Sequence, residues 1–187
     1  MTPTPPITTY ATADRLAAYV TAMRGLADRR APGAPVRVYL CAQPHMTATP
    51  GWEKLVRRIS RALPRGVRAH PYGRVFGDDG RDYDTEWDTY AANLDGLVVA
   101  HPLMRDSSGG RIRMYPRARA ELRSVVGRGR PVLVWHPNLG LVPLVDCAAT
   151  VQPTASTPLR LRIPAGYAPG SPTRRAALAA LTPKGAA

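Results

Sequence analysis

Leu94-Asp95-Gly96-Leu97-Val98-Val99-Ala100 is the stretch of this sequence that decides the fold. Its apolar residues are consecutive rather than alternating, which is typical of a strand buried on both faces, and such strands pair in parallel sheets. Further strands are predicted at residues 36–42, 67–72 and 131–135, and a second apolar segment follows at 141–145. We therefore expect a mostly parallel central sheet.

Segments with helical periodicity alternate with these strands. Apolar residues recur at helical spacing at 12–30, 52–63, 87–94 and 116–127. This alternation indicates βαβ crossovers with helices on both faces of the sheet. The predicted fold is α/β, a flavodoxin-like or Rossmann-like three-layer sandwich with an extra N-terminal helix. The strictly alternating residues 159–163 predict a half-exposed C-terminal edge strand, which can pair antiparallel.

One domain, residues 12–164, accounts for most of the 187 residues. We expect residues 1–11 to form a flexible arm, and residues 165–187, rich in Pro and Ala, to be disordered apart from a short helix at 174–181. The polar segment 73–84 predicts a long surface loop. No apolar run is long enough to cross a bilayer and no signal peptide is evident, so we expect a cytoplasmic protein with no membrane partner.

The charge of the chain is strongly positive, with 26 Lys and Arg against 13 Asp and Glu. Lys occurs only at positions 54 and 184, so the charge comes from Arg. Guanidinium groups bind phosphate oxygens well, which favours a nucleotide or nucleic-acid partner. A GC-rich coding sequence would also favour Arg over Lys, but it would not explain the shortage of acidic residues.

Motifs for nucleotide binding or hydrolysis by the common routes are absent: GxxxxGK[ST], GxGxxG after the first strand, GxSxG and HExxH. Each histidine follows a predicted strand, which in a parallel sheet places all of them at one edge: His45, His70, His101 and His136. Neighbouring prolines also suit turn residues, and no pair has metal-ligand spacing, so we predict no metal site. We expect Cys41 and Cys147 to be small buried side chains.

Acidic residues crowd the segment before the third helix: Asp78, Asp79, Asp82, Asp84, Glu86 and Asp88. They can cap the helix, or one or two can hydrogen-bond the hydroxyls of a ribose. Asp95 precedes a buried strand and is a turn residue or a site residue. Glu121 is either half of a surface ion pair or a carboxylate that faces the sheet edge beside Arg117 and Arg119.

The order of these features resembles the nucleoside 2-deoxyribosyltransferase-like superfamily. The resemblance covers residues 36–136 and is carried by Val38-Tyr39-Leu40-Cys41-Ala42, the acidic segment, the strand opened by Leu94-Asp95-Gly96, and Ala120-Glu121-Leu122 shortly before Gly129-Arg130-Pro131-Val132. It implies a flavodoxin-like fold, cleavage of N-glycosidic bonds in nucleosides or nucleotides without a cofactor, and allows a homodimer.

Several residue roles follow from the resemblance. Glu121 is implied as the nucleophile, with Asp84 or Asp88 as the acid that protonates the leaving base. Tyr39 matches a tyrosine near the first strand, and Asp95 and His45 are candidate substrate-binding residues. A carboxylate nucleophile with a second acid is coherent chemistry for breaking a glycosidic bond.

The sequence departs from the family pattern just before Glu121. The family has an Asp-x-Gly-Thr-like turn there, whereas this chain has Met114-Tyr115-Pro116-Arg117-Ala118-Arg119-Ala120. Either Arg117 and Arg119 bind a 5′-phosphate in its place, or the fold is kept without catalysis. The alternative function is therefore a non-catalytic protein that senses nucleotides or binds nucleic acid through its Arg-rich surface.

Overall fold

The computed structural model describes residues 7–71, 83–101, 103–104, 111–114, 116–151 and 159–185. Its helices are α1 (Ala13–Arg29), α2 (Pro44–Thr47), α3 (Pro50–Ala62), α4 (Tyr83–Ala92), α5 (Pro116–Gly127) and α6 (Pro172–Ala180). Its strands are β1 (Ile7–Thr9), β2 (Val36–Cys41), β3 (Val67–Pro71), β4 (Gly96–Val99), β5 (Leu103–Met104), β6 (Arg111–Met114), β7 (Val132–His136), β8 (Gly140–Pro143), β9 (Ala148–Val151) and β10 (Leu159–Arg162).

The predicted α/β fold with a mostly parallel sheet is confirmed. The strand order is β3-β2-β4-β7-β8; the first four strands are parallel, and β8 joins β7 antiparallel. The chain moves from β2 to β3 on one side, and only later to β4 on the other side. This reversal of direction leaves a crevice at the carboxyl ends of β2 and β4, where open α/β sheets bind ligands.

Successive residues of β2 point to opposite faces of the sheet. Val38 and Leu40 pack with α3 and α6, whereas Tyr39 and Cys41 pack with α4 and α5. Each large aliphatic side chain removed from water in these layers contributes about 2 kcal/mol. Helices therefore cover both faces, as the alternating pattern predicts, and α1 packs on the outside of α6 through Met23.

A second sheet lies beside the first, and the sequence did not predict it. It is antiparallel, with the order β1-β9-β10-β6-β5. The strand at residues 159–163 exists and is antiparallel, but its edge position was wrong, because β10 lies between β9 and β6. Alternation reveals a strand with one buried face, but it does not reveal which strands flank it.

Both chain ends are more ordered than predicted. Residues 7–9 of the predicted arm form β1 and pair with β9, whereas residues 1–6 lie outside the described ranges. The predicted helix at 174–181 is confirmed as α6, but the rest of the tail is not disordered through residue 185. A Cβ at Gly96 would lie 2.9 Å from Leu181 Cδ2, so the tail packs tightly against the start of β4. The loop predicted at 73–84 lies outside the described ranges up to residue 82.

No helix among the described residues is long and apolar enough to span a membrane.

Candidate functional site

A buried polar cluster lies at the carboxyl ends of β2 and β4. It consists of Tyr39, Cys41, His101 and Glu121, and none of the four is more than 3% exposed. Tyr39 and Cys41 are neighbours on one face of β2, His101 follows β4, and Glu121 comes from α5. These residues are up to 82 positions apart in the sequence, so the topological reversal of the sheet brings them together.

Glu121 is the buried carboxylate of this cluster, at 2% exposure. The phenol of Tyr39 donates a hydrogen bond to Glu121 Oε1 at 3.4 Å. Neighbours of Glu121 along α5 explain its orientation, because Ala118, Leu122 and Val125 face the core and carry residue 121 inward with them. The sequence-based alternative of a surface ion pair is therefore wrong, since Glu121 does not lie on the surface.

Cys41 adjoins Glu121 as well. Burial, the negative charge of Glu121 and a hydrogen bond to it together raise the pKa of the Cys41 thiol. The thiol therefore stays protonated at neutral pH, so it acts as a donor to the carboxylate. A protonated, buried thiol is a poor nucleophile.

His101 extends the cluster along the sheet edge. Its Nε2 lies 3.8 Å from Cys41 Sγ, and the side chain is 3% exposed. Cys41 therefore lies between His101 and Glu121, and it contacts both side chains.

Aromatic rings from α4 form one wall of the cluster. The ring of Tyr39 lies 5.2 Å from that of Trp87 and 5.9 Å from that of Tyr90, measured between centroids. His70, at the end of β3, lies 6.3 Å from Tyr90. Burial raises the pKa of Tyr90 to about 12, so its hydroxyl is neutral. Tyr39 and Trp87 are buried, whereas His70 and Tyr90 are half-buried and are able to stack on a planar ring.

Asp88 does not belong to this cluster. Its carboxylate is exposed and lies 3.6 Å from Arg128 Nη2, at the far end of α5. Arg128 lies seven residues after Glu121, about 10 Å along a helix axis. The structure therefore places the predicted acid Asp88 away from the predicted nucleophile. The side chain of Asp84, the other predicted acid, lies outside the described residues.

Asp95 lies at the opposite edge of the sheet. It precedes β4, where its carboxylate accepts hydrogen bonds from Arg30 Nη1 at 3.0 Å and from the Arg37 backbone N–H at 2.9 Å. These contacts tie the loop after α1 to the start of two strands, so Asp95 has a structural role at the amino edge. A substrate-binding role beside Glu121 is not compatible with this position.

The remaining predicted site residues lie on or near the carboxyl edge. His45 is exposed on α2, directly after β2. In the first turn of α5, Arg117 is exposed and Arg119 is half-buried, one turn or less before Glu121. Tyr39 and Glu121 are two predicted site residues that the structure brings into contact.

Sequence reasoning missed the roles of Cys41, His101 and Trp87 in this cluster. Cys41 was correctly expected to be buried, and His101 was placed at the sheet edge, but nothing in their spacing connected them with Glu121. Position at the end of a parallel strand was the available signal. Within the described ranges, no group of three His, Cys, Asp or Glu side chains is arranged to hold a metal ion.

Comparison of this chain with protein-family models, with curated proteins and with solved structures finds no match.

Proposed function

We propose that this protein cleaves the N-glycosidic bond of nucleosides or nucleotides, with Glu121 as the nucleophile. The observation that supports this most is the buried Glu121 carboxylate, which accepts a hydrogen bond from Tyr39 at the carboxyl edge of a parallel sheet. Buried ionisable groups that lie together at the carboxyl edge of a parallel sheet are candidates for a chemical role, which supports this assignment of Glu121.

The chemistry needs a negative oxygen next to the anomeric carbon. As the bond from C1′ to the base nitrogen breaks, its electron pair leaves with the base and positive charge develops on the sugar. Glu121 can form a bond from Oε to C1′, giving a glycosyl ester. Water, or a second base, then attacks C1′ and releases the carboxylate. The first outcome is hydrolysis and the second is transfer.

The surroundings of Glu121 suit the two ends of a nucleotide. Tyr90, which is half-buried, offers aromatic surface for the base. Arg117 and Arg119 lie in the first turn of α5, where the helix dipole also favours a negative group, so this turn suits a 5′-phosphate. Proton donation to the leaving base is assigned to Asp84 or to His101, since Asp88 is engaged elsewhere.

Incubation of the purified chain with a panel of nucleosides and nucleoside 5′-monophosphates tests this function. Free base is measured by chromatography, and intact mass spectrometry detects a sugar bound to the protein. We expect base release by the wild type and not by Glu121→Gln. Glu53→Gln, which changes an exposed carboxylate on α3, is the matched control and should keep full activity. No base release by the wild type from any substrate would refute the proposal.

A second function, nucleic-acid binding, is favoured by the exposed face of α3. Lys54, Arg57, Arg58 and Arg61 are exposed along it and Arg65 follows, with Glu53 as the one acidic residue of the helix. Spacings of three and four residues place these charges on one stripe, which suits the phosphates of a nucleic-acid strand.

Salt-dependent binding separates this second function from the first. Fluorescence anisotropy of a labelled 20-nucleotide DNA, measured over a series of salt concentrations, gives the slope of log K against log salt. Arg57→Gln with Arg61→Gln should reduce that slope by about two, because two phosphate contacts are lost. The control, Arg24→Gln, changes an exposed residue on α1. Equal slopes for both variants would contradict binding through α3.

A further inference from the structure

A second candidate site lies away from Glu121, between α1 and α5. It is a cavity of about 710 Å³, and none of Tyr39, Cys41, His101 or Glu121 lines it. One wall is a stripe of α1 at helical spacing: Arg15, Ala18, Tyr19, Ala22 and Met23. This stripe is about 12 Å long, since a helix rises 1.5 Å per residue. The volume lies within the range of small-molecule sites.

Exposed apolar side chains lie around this cavity. Among the described residues, the large hydrophobic side chains classed as exposed are Tyr10 and Val126, each at 46%. Both line this cavity. An apolar surface that stays open to water around a concave site is typical of a binding surface rather than of an ordinary exterior.

The charged side chains that line the cavity are arginines, whereas nearby Asp146 accepts hydrogen bonds from Tyr167 and Thr173. Arg15 and Arg130 line it, and no Asp or Glu does. In the part of the chain that the structure describes, neither guanidinium forms an ion pair. The Tyr19 hydroxyl is buried and has no hydrogen-bond partner among the described residues, so a neutral donor is also present on the α1 wall.

We propose that this cavity binds a small amphipathic carboxylate. The aliphatic or aromatic part of the ligand would fill the space between Ala18 and Ala22 of α1 and Val126. Arg15 and Arg130 would bind its carboxylate. Two fixed cations and an apolar lining select this class over a neutral alcohol, which gains no charge-assisted hydrogen bond, and over a cation, which is repelled.

Titration calorimetry of the full chain with sodium decanoate tests the proposal, with decanol and decyltrimethylammonium as charge controls. We expect saturable binding of decanoate at one site, and binding of the two controls at least about tenfold weaker. The double variant Arg15→Gln with Arg130→Gln should weaken decanoate binding about tenfold and leave decanol unchanged. Arg24→Gln, on α1 but outside the cavity, should bind like the wild type.

A filling variant tests the location independently of charge. Val126→Trp places a large ring at the open side of the cavity and should abolish decanoate binding without unfolding the protein, because residue 126 is half-exposed. Sedimentation of wild type and variant is measured in parallel. No saturable decanoate binding, equal binding of decanol, or a dimer that Val126→Trp dissociates would overturn the proposal, the last outcome showing that a second copy covers this surface.

Discussion

Two carboxylates lie at opposite edges of the parallel sheet and have different neighbours. Asp95, at the amino edge, accepts from a guanidinium and from a backbone N–H. Glu121, at the carboxyl edge, lies against a phenol and a thiol. The guanidinium of Arg30 joins Asp95 to a distant segment of the chain, whereas the phenol of Tyr39 and the thiol of Cys41 orient the carboxylate of Glu121. We expect the first carboxylate to contribute to stability and, under the proposed function, the second to contribute to base release.

The largest expected effect separates the two carboxylates by activity. Glu121→Gln keeps the shape of the side chain but removes its charge, so base release should fall by about a thousandfold or more, because no oxygen anion remains to capture the sugar. Initial rates of base release measure this. Asp95→Asn should keep at least half of the wild-type rate. A comparable loss of rate in both variants would contradict the assignment of catalysis to Glu121 at the carboxyl edge.

The next effect separates them by stability. Asp95→Asn should lower the free energy of unfolding by about 2 kcal/mol, because Arg30, whose side chain is 8% exposed, loses its charged partner. Urea unfolding followed by circular dichroism measures it. Asp88→Asn is the matched control: its ion pair with Arg128 is mostly exposed, so less than about 0.5 kcal/mol is expected. Equal losses in the two variants would count against the structural role of Asp95.

A smaller effect concerns the donor to Glu121. Tyr39→Phe removes the phenol hydroxyl and keeps the ring packed on Trp87, so base release should fall about tenfold while the free energy of unfolding changes by about 1 kcal/mol. Rates and urea midpoints are measured on the same preparation. An unchanged rate with a large loss of stability would mean that Tyr39 serves packing alone.

The last prediction compares two buried thiols that each lie near a carboxylate: Cys147 near Asp146 and Cys41 near Glu121. Burial, with nearby Asp146, raises the pKa of Cys147 to about 12 from an ordinary value of 9.0. Between these values the unfolded chain loses a proton that the folded chain keeps, so the free energy of unfolding falls as pH rises, by at most about 1.4 kcal/mol per pH unit for one thiol.

Urea unfolding from pH 8 to pH 10.5 measures this loss. Cys147→Ala should make the decline above pH 9 shallower, and Cys41→Ala should do the same, because the pKa of Cys41 is raised as well. A decline of unchanged steepness in both variants would show that other groups control stability at alkaline pH.

Much of the parallel sheet and its helices was predictable because their signals are local. Val98 and Val99 lie in an apolar run, and the stripe of Trp52, Ile59 and Leu63 repeats at helical spacing. The second sheet was not predictable in this way. Its strands β1, β5 and β9 are too short to show a clear alternation. In addition, β1 and β9 are more than a hundred residues apart in the sequence, so no local pattern predicts their pairing.

The candidate site was predictable in part for the same reason. Glu121 stands out as a lone carboxylate in an Arg-rich helix start, and Tyr39 lies on a clear strand. The substrate-binding role predicted for Asp95 was wrong, because Asp95 lies at the amino edge of the sheet, away from Glu121. The contact of His101 with Cys41 depends on the lateral order of strands, which is settled only when the whole sheet is assembled.

The packing of α6 on α1 has a consequence for how the chain matures. Arg30 donates to Ala180 O across 150 residues, and Lys184 donates to Asp28 O across 156. During translation, α1 emerges from the ribosome long before the helix that covers it exists. Its apolar side stays uncovered until residues 172–180 have been made, so this packing step comes late, and a chain truncated before residue 172 would be prone to aggregation.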